Sequence, residues 1–144
     1  MSVPTGLRTE SKAEYLNTAM DLDIHTKHCC RKFPKSATFL ITTYIIQTAD
    51  AIGRNIAQAN ARFPRTEQDV EYRRVHLQDA RGLIDWLDFQ VQQAYMLYGK
   101  QPCCDGDKIK ITSYAWQHWS YLIGRLKTLV DGVIASDRKV MQNT

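Results

Sequence analysis

Apolar or small residues recur along this chain at Ala37, Leu40, Ile41, Tyr44, Ile45, Thr48, Ala51, Ile52, Ile56 and Ala59. The i, i+3, i+4, i+7 spacing holds for about six turns and predicts a helix over residues 35–62 with one continuous buried face. Before it, Leu16, Met20 and Ile24 mark a helix over 11–32. Ser11 and Glu14 have capping-box spacing at its start, and Pro34 ends it by restricting Phe33 to extended backbone. A third helix, 66–98, begins at Thr66 with Asp69 three residues on. Glu67, Asp69 and Glu71 suit the positive end of its dipole, and Gly99 is placed as a C′ residue. The fourth, 112–137, takes Thr112 as N-cap and Ile111 with Trp116 as a hydrophobic staple, and turns Trp119, Ile123, Leu126, Val130 and Val133 inward. Lys108 to Ile111 alternates like a strand, but a run so short founds no sheet and reads as an extended lead-in.

Four long helices joined by two short connections and one of moderate length predict an all-α, antiparallel up-down-up-down four-helix bundle. The 144 residues form a single domain, 1–144, long enough to bury a core. In this topology the first connection, around 31–35, and the third, 100–111, lie at the same end.

One feature exceeds the needs of a bundle. On the third helix Leu77, Ala80, Ile84, Leu87, Val91 and Tyr98 share one side, while Trp86, Phe89 and Met96 project from nearly the opposite side. Large exposed apolar residues in a row mark an interface. Trp116, on the broad apolar arc of the fourth helix, joins them as a candidate contact for a homo-oligomer or a large protein partner.

Composition narrows the function classes. The N-terminus lacks the apolar stretch of a signal peptide and no apolar run approaches bilayer length, so a soluble, cytoplasmic protein with no membrane partner is expected. The net charge of +4 is modest but unevenly spread. Lys27, Arg31, Lys32, Lys35, Lys100, Lys108 and Lys110 gather at the shared end against Asp105 and Asp107 alone. Such a patch binds phosphates by point-charge contact and counterion release without reading sequence. At the other end Arg73 and Arg74 are further candidate contacts, although nearby acids offset most of the charge there. No catalytic residues are assigned: there is no glycine-rich phosphate loop and no Glu-x-x-His pair, and His76 and His118 stand alone. No cofactor is expected.

The cysteines come as two adjacent pairs, Cys29–Cys30 and Cys103–Cys104. His25, His28 and Cys29 share a helix face, and Cys103 and Cys104 lie in the loop placed at the same end. A tetrahedral zinc site of His25, Cys29, Cys103 and Cys104 is therefore geometrically open, though no C-x₂-C spacing supports it. The alternative is buried thiols and surface histidines.

The Phe33-Pro34-Lys35 turn, leading into a long helix that ends in Asn55-Ile56-Ala57, resembles the four-helix-bundle proteins first noted in 23S rRNA intervening sequences. Ala57-Gln58-Ala59-Asn60, the Gly124-Arg125-Leu126 turn and the tail from Val133 to Lys139 are most similar to the accessory variability determinant (Avd) of diversity-generating retroelements. The resemblance spans roughly residues 11–139. It implies a barrel-like homopentamer of bundles with positive surfaces. It also implies binding to the element's reverse transcriptase and to template RNA or cDNA in support of mutagenic retrohoming, without catalytic residues. The cysteine pairs and the long loop from Lys100 to Ile111 depart from that pattern. A generic interaction bundle of the intervening-sequence group, with no polymerase, and a small zinc-binding bundle are the alternatives.

Overall fold

The computed structural model describes residues 10–99 and 111–142, with backbone alone over 10–13. Four long helices account for nearly all of it: α1 Glu10–Cys30, α2 Thr43–Asn60, α3 Glu67–Ala94 and α4 Ser113–Gln142. No strand occurs among the described residues, and no helix there is long and apolar enough to cross a membrane. Each helix packs on its neighbours in sequence, and α1 closes the square against α4. Phe33, after α1, meets Tyr98, four residues beyond the end of α3, and Trp116 near the start of α4. Tyr15 of α1 bonds Asn60 at the far end of α2. These contacts at both ends set the helices antiparallel, as the connection lengths predict.

The core is a continuous apolar column from Tyr15 and Ile56 at one end to Phe33, Trp116 and Trp119 at the other. Trp119 is fully buried and donates its indole N–H to Thr26 Oγ1 at 3.0 Å. Thr26 in turn donates to the Leu22 carbonyl, so both buried polar groups are satisfied.

The caps of α3 and α4 fall where the sequence places them. Thr66 and Asp69 form a reciprocal capping box at 3.1 and 3.2 Å, and Thr112 Oγ1 accepts the Ala115 N–H at 3.1 Å. The start of α1 differs, because the helix already includes Glu10 and so Ser11 lies inside it. Gly124-Arg125-Leu126 falls within the unbroken length of α4. Gly99 differs as well: it closes a π-helical segment, Tyr95–Gly99, and a Cβ there would sit 2.3 Å from the Tyr95 ring. Crowding by that ring, not a left-handed cap, favours glycine.

The long second helix is not one uniform α-helix. A 3₁₀ turn over Lys35–Ala37 and a π segment over Thr38–Thr42 precede α2. The changes of pitch rotate the first turns away from the 3.6-residue register. Leu40 and Tyr44, which the periodicity assigned to the buried face, are exposed, while Ala37, Ile41, Ile45, Ile52, Ile56 and Ala59 are buried as expected.

Candidate nucleic-acid interface

The basic end is built around a cluster of buried aromatics that Phe33 enters from the turn. Pro34 is extended at φ −62° and ψ 152°, and short i→i+3 bonds from Lys32 to Cys29 and from Phe33 to Cys30 wind the chain tightly off α1. This turn drives Phe33 inward, where its ring centroid lies 5.7 Å from Tyr98, 6.1 Å from Trp116 and 6.3 Å from Trp119. Cys29 and Cys30 are buried beside it. With those positions committed to the core, Arg31, Lys32 and Lys35 face solvent.

Their charges are not neutralised locally. Among the described residues none of the three has a carboxylate within ion-pair distance. Lys27 is different. It donates to Asp23 at 2.9 Å, a bond that raises its pKa, and the pair is nearly neutral from a distance. The basic end among these residues is thus Arg31, Lys32 and Lys35. Lys100, Lys108 and Lys110, which the sequence assigns to the same end, lie outside the described residues.

The opposite end corrects one assignment. Arg73 is no phosphate contact, since it is 2% exposed. Its Nε donates to Asp137 Oδ2 at 2.7 Å and its Nη2 to Oδ1 at 3.3 Å. Its Nη1 donates to the Ala59 and Arg62 carbonyls at 2.8 and 2.9 Å. One guanidinium therefore ties α3 to α4 and closes the C-terminus of α2, whose last carbonyls lack helical partners. Arg74 stays exposed, but it donates from Nε to Glu71 at 2.8 Å and is largely neutralised.

The candidate interface on α3 keeps two of its residues in close association. Trp86 and Phe89 are 50% and 57% exposed, and their rings stack at 5.5 Å with 9° between planes. Met96 is exposed too. Trp86 lines a groove of about 140 Å³ with Leu40, Tyr44 and Gln90, and Gln90 Oε1 is buried without a hydrogen-bond partner among the described residues. Trp116 must be withdrawn from this surface. It is 7% exposed, 5.6 Å from Trp119 and edge-on to Tyr95, so it belongs to the core.

Of the proposed zinc ligands, His25 and Cys29 meet and Cys103 and Cys104 lie outside the described residues. His25 Nε2 donates to the Ala115 carbonyl at 2.9 Å and stands 3.4 Å from Cys29 Sγ. Burial lowers the His25 pKa, so its neutral form prevails at pH 7. Burial pushes the Cys29 and Cys30 thiols up to about 11 and about 12, and the nearby Lys32 only partly opposes this at Cys29. Thiols so protonated are poor metal ligands. Among the described residues no group of three potential ligands comes together.

Two features of this region went unread in the sequence. Tyr114 and Tyr121 flank His118 along α4, and the three rings lie nearly parallel. Their i, i+4, i+7 spacing was the available signal. Phe39 also stands out on the surface, on the rotated turn ahead of α2. Compared with protein-family models, with curated proteins and with solved structures, the chain matches none.

Proposed function

We propose that this protein is a non-enzymatic, cytoplasmic accessory factor of a diversity-generating retroelement, binding template RNA or cDNA and the reverse transcriptase that copies it. The observation that carries this reading is the trio Arg31, Lys32 and Lys35, exposed and without an acid partner among the described residues, around a turn that Phe33 anchors in the core. Held on a fixed turn, three cations meet a phosphate backbone at little cost in conformational entropy and release its counterions. The resemblance of Ala57-Gln58-Ala59-Asn60, Gly124-Arg125-Leu126 and the Val133–Lys139 tail to the Avd family supplies the choice of polymerase and template.

In this reading the stacked Trp86 and Phe89, with the unpartnered Gln90 carbonyl beside them, face a neighbouring copy in a ring of five. A ring would repeat the basic end around its axis and strengthen a weak single site by avidity. Replacing Arg31, Lys32 and Lys35 together by Glu tests the charge argument. RNA affinity falls and the slope of log K against log salt becomes shallower by about 2, three lost contacts at about 0.7 each. Unchanged affinity refutes it. Co-purification with a reverse transcriptase encoded beside this gene tests the partner. A second reading, an interaction module of the intervening-sequence type with no polymerase, is favoured by the Trp86–Phe89 stack alone, and the absence of a neighbouring reverse transcriptase would select it.

A further inference from the structure

The face formed by α1 and α4, across the bundle from Trp86, carries an aromatic row beside a groove of about 450 Å³. Tyr114, His118 and Tyr121 follow one another at 5.7 and 6.1 Å between centroids, with 6° and 18° between planes. Tyr114 is 72% and Tyr121 62% exposed. His118 is closed on one side by His25, whose ring meets it edge-on at 4.9 Å. Because α4 runs antiparallel to α1, the row starts at the basic end, where Lys32 is close enough to His25 to act on its charge. It ends at Arg125, which pairs with Glu14 at 2.9 Å.

We infer that this face is a stacking site for the bases of single-stranded nucleic acid, with Tyr114 and Tyr121 as its platforms. The inference rests on the nucleic-acid reading above and names the form of strand that the same basic end takes. The occupant follows from charge and shape together. Open faces of tyrosine beside cations that no described carboxylate pairs suit a ligand that is flat and apolar on one side and anionic on the other, and unpaired nucleotides have that character. A duplex hides its base faces and offers no match to the row.

Spacing decides how the bases sit. A base inserted between two rings needs about 7 Å, twice the stacking rise of about 3.4 Å. The gaps here are narrower, so bases stack on the outer faces of Tyr114 and Tyr121, about 10 Å apart along the helix at 1.5 Å per residue. Asp21 also lines the groove. Its carboxylate repels phosphate but accepts hydrogen bonds from base amino groups and from the 2′-hydroxyl of RNA. That directs the bases into the groove and the phosphates toward Lys32.

The test is fluorescence anisotropy of the full chain with a labelled single-stranded oligouridine and with an RNA duplex of equal length, each over a range of salt. The parent protein should bind the single strand more tightly than the duplex. Tyr114→Ala with Tyr121→Ala should weaken single-strand binding at least about 5-fold, the lower limit for losing one stacked base, and leave the salt slope unchanged because no phosphate contact is lost. The corresponding Phe substitutions should restore affinity. Equal affinity of the Ala variant and the parent overturns the stacking site, as does an equal loss on the duplex. If the Ala variant binds normally while the Arg31, Lys32, Lys35 reversal does not, the stacking site fails and the basic-end reading survives. If the parent binds neither RNA, both fail. A lower mass of the Ala variant in light scattering would make this face a contact between copies and overturn the proposal. Both tyrosines are exposed, so an unchanged melting temperature confirms that folding is not the cause.

Discussion

Replacing Arg73 by Met removes four donated hydrogen bonds and leaves the Asp137 carboxylate, itself buried, without its cation. Met keeps much of the arginine stem's volume, so the loss is electrostatic more than steric. Stranding one member of a buried ion pair costs about 3–5 kcal/mol. In a chain of this size each kcal/mol moves the melting temperature by roughly 3 °C, so a fall of about 10–15 °C is expected in differential scanning fluorimetry. Adding Asp137→Leu should recover most of that loss. It removes the stranded charge; the Ala59 carbonyl keeps the Arg62 N–H at 3.3 Å, and the Arg62 carbonyl loses the Arg73 donor at a residual cost of about 1–2 kcal/mol. Denaturant unfolding of the parent, both single variants and the double variant gives the coupling directly. If Arg73→Met lies within about 0.5 kcal/mol of the parent, or if the double variant is no more stable than Arg73→Met, the guanidinium is not the tie between α2, α3 and α4 described above.

Other consequences are simpler to check. Trp86→Ser with Phe89→Ser should lower the particle mass in light scattering while leaving the melting temperature nearly unchanged, and an unchanged mass removes α3 from any subunit interface. Thr66→Ala opens the capping box and should destabilise the fold by about 1 kcal/mol. Asp69 is held below the usual carboxylate range, chiefly by its bond to Thr66, so its stabilising contribution is present above its unfolded pKa and lost as pH falls through the folded value; the Thr66→Ala variant should lose less stability on acidification than the parent. The two buried thiols act with the opposite sign. Their folded pKa values, about 11 and about 12, exceed the ordinary 9.0, so the stability they contribute is complete below pH 9 and drains away as pH rises through 11 and 12. Alkaline melting curves of Cys30→Ala should be flatter than those of the parent; identical curves would show that Cys30 is not the group that titrates.

Where the sequence pattern was decisive, it was because local chemistry repeats at the helical period. Leu77, Ala80, Ile84, Leu87 and Val91 could be assigned to the core of α3 by spacing alone, and all five are buried. Thr66 and Thr112 could be read as caps because only a short side-chain acceptor at that position meets the free amides of the first turn. The exposure of Trp86 and Phe89 followed from the same arithmetic.

Arg73 and Trp116 show where residue type misleads. Arg73 lies four residues before Leu77 and so on the core stripe, as Asp137 lies four after Val133 on α4. The register marks both as inward, but arginine is so often a surface residue that its charge points the other way. Which partner makes burial tolerable is a matter of two helices meeting at residues 64 positions apart, and no local pattern carries that. Leu40 and Tyr44 failed for a different reason. The π segment over Thr38–Thr42 shifts the register by a fraction of a turn, and a constant 100° step cannot anticipate it.

The sequence by itself therefore determined four helices, their order, most of their buried faces and the cationic turn after α1, because each depends on neighbours within a turn or two. Only the tertiary structure decided that Arg73 is spent inside the fold and Trp116 in the core, that Arg31, Lys32 and Lys35 stand without acid partners among the described residues, and that Tyr114, His118 and Tyr121 flank a groove against α1. Each of those depends on what a second helix brings to the same place, and helix packing, not spacing along the chain, supplies it.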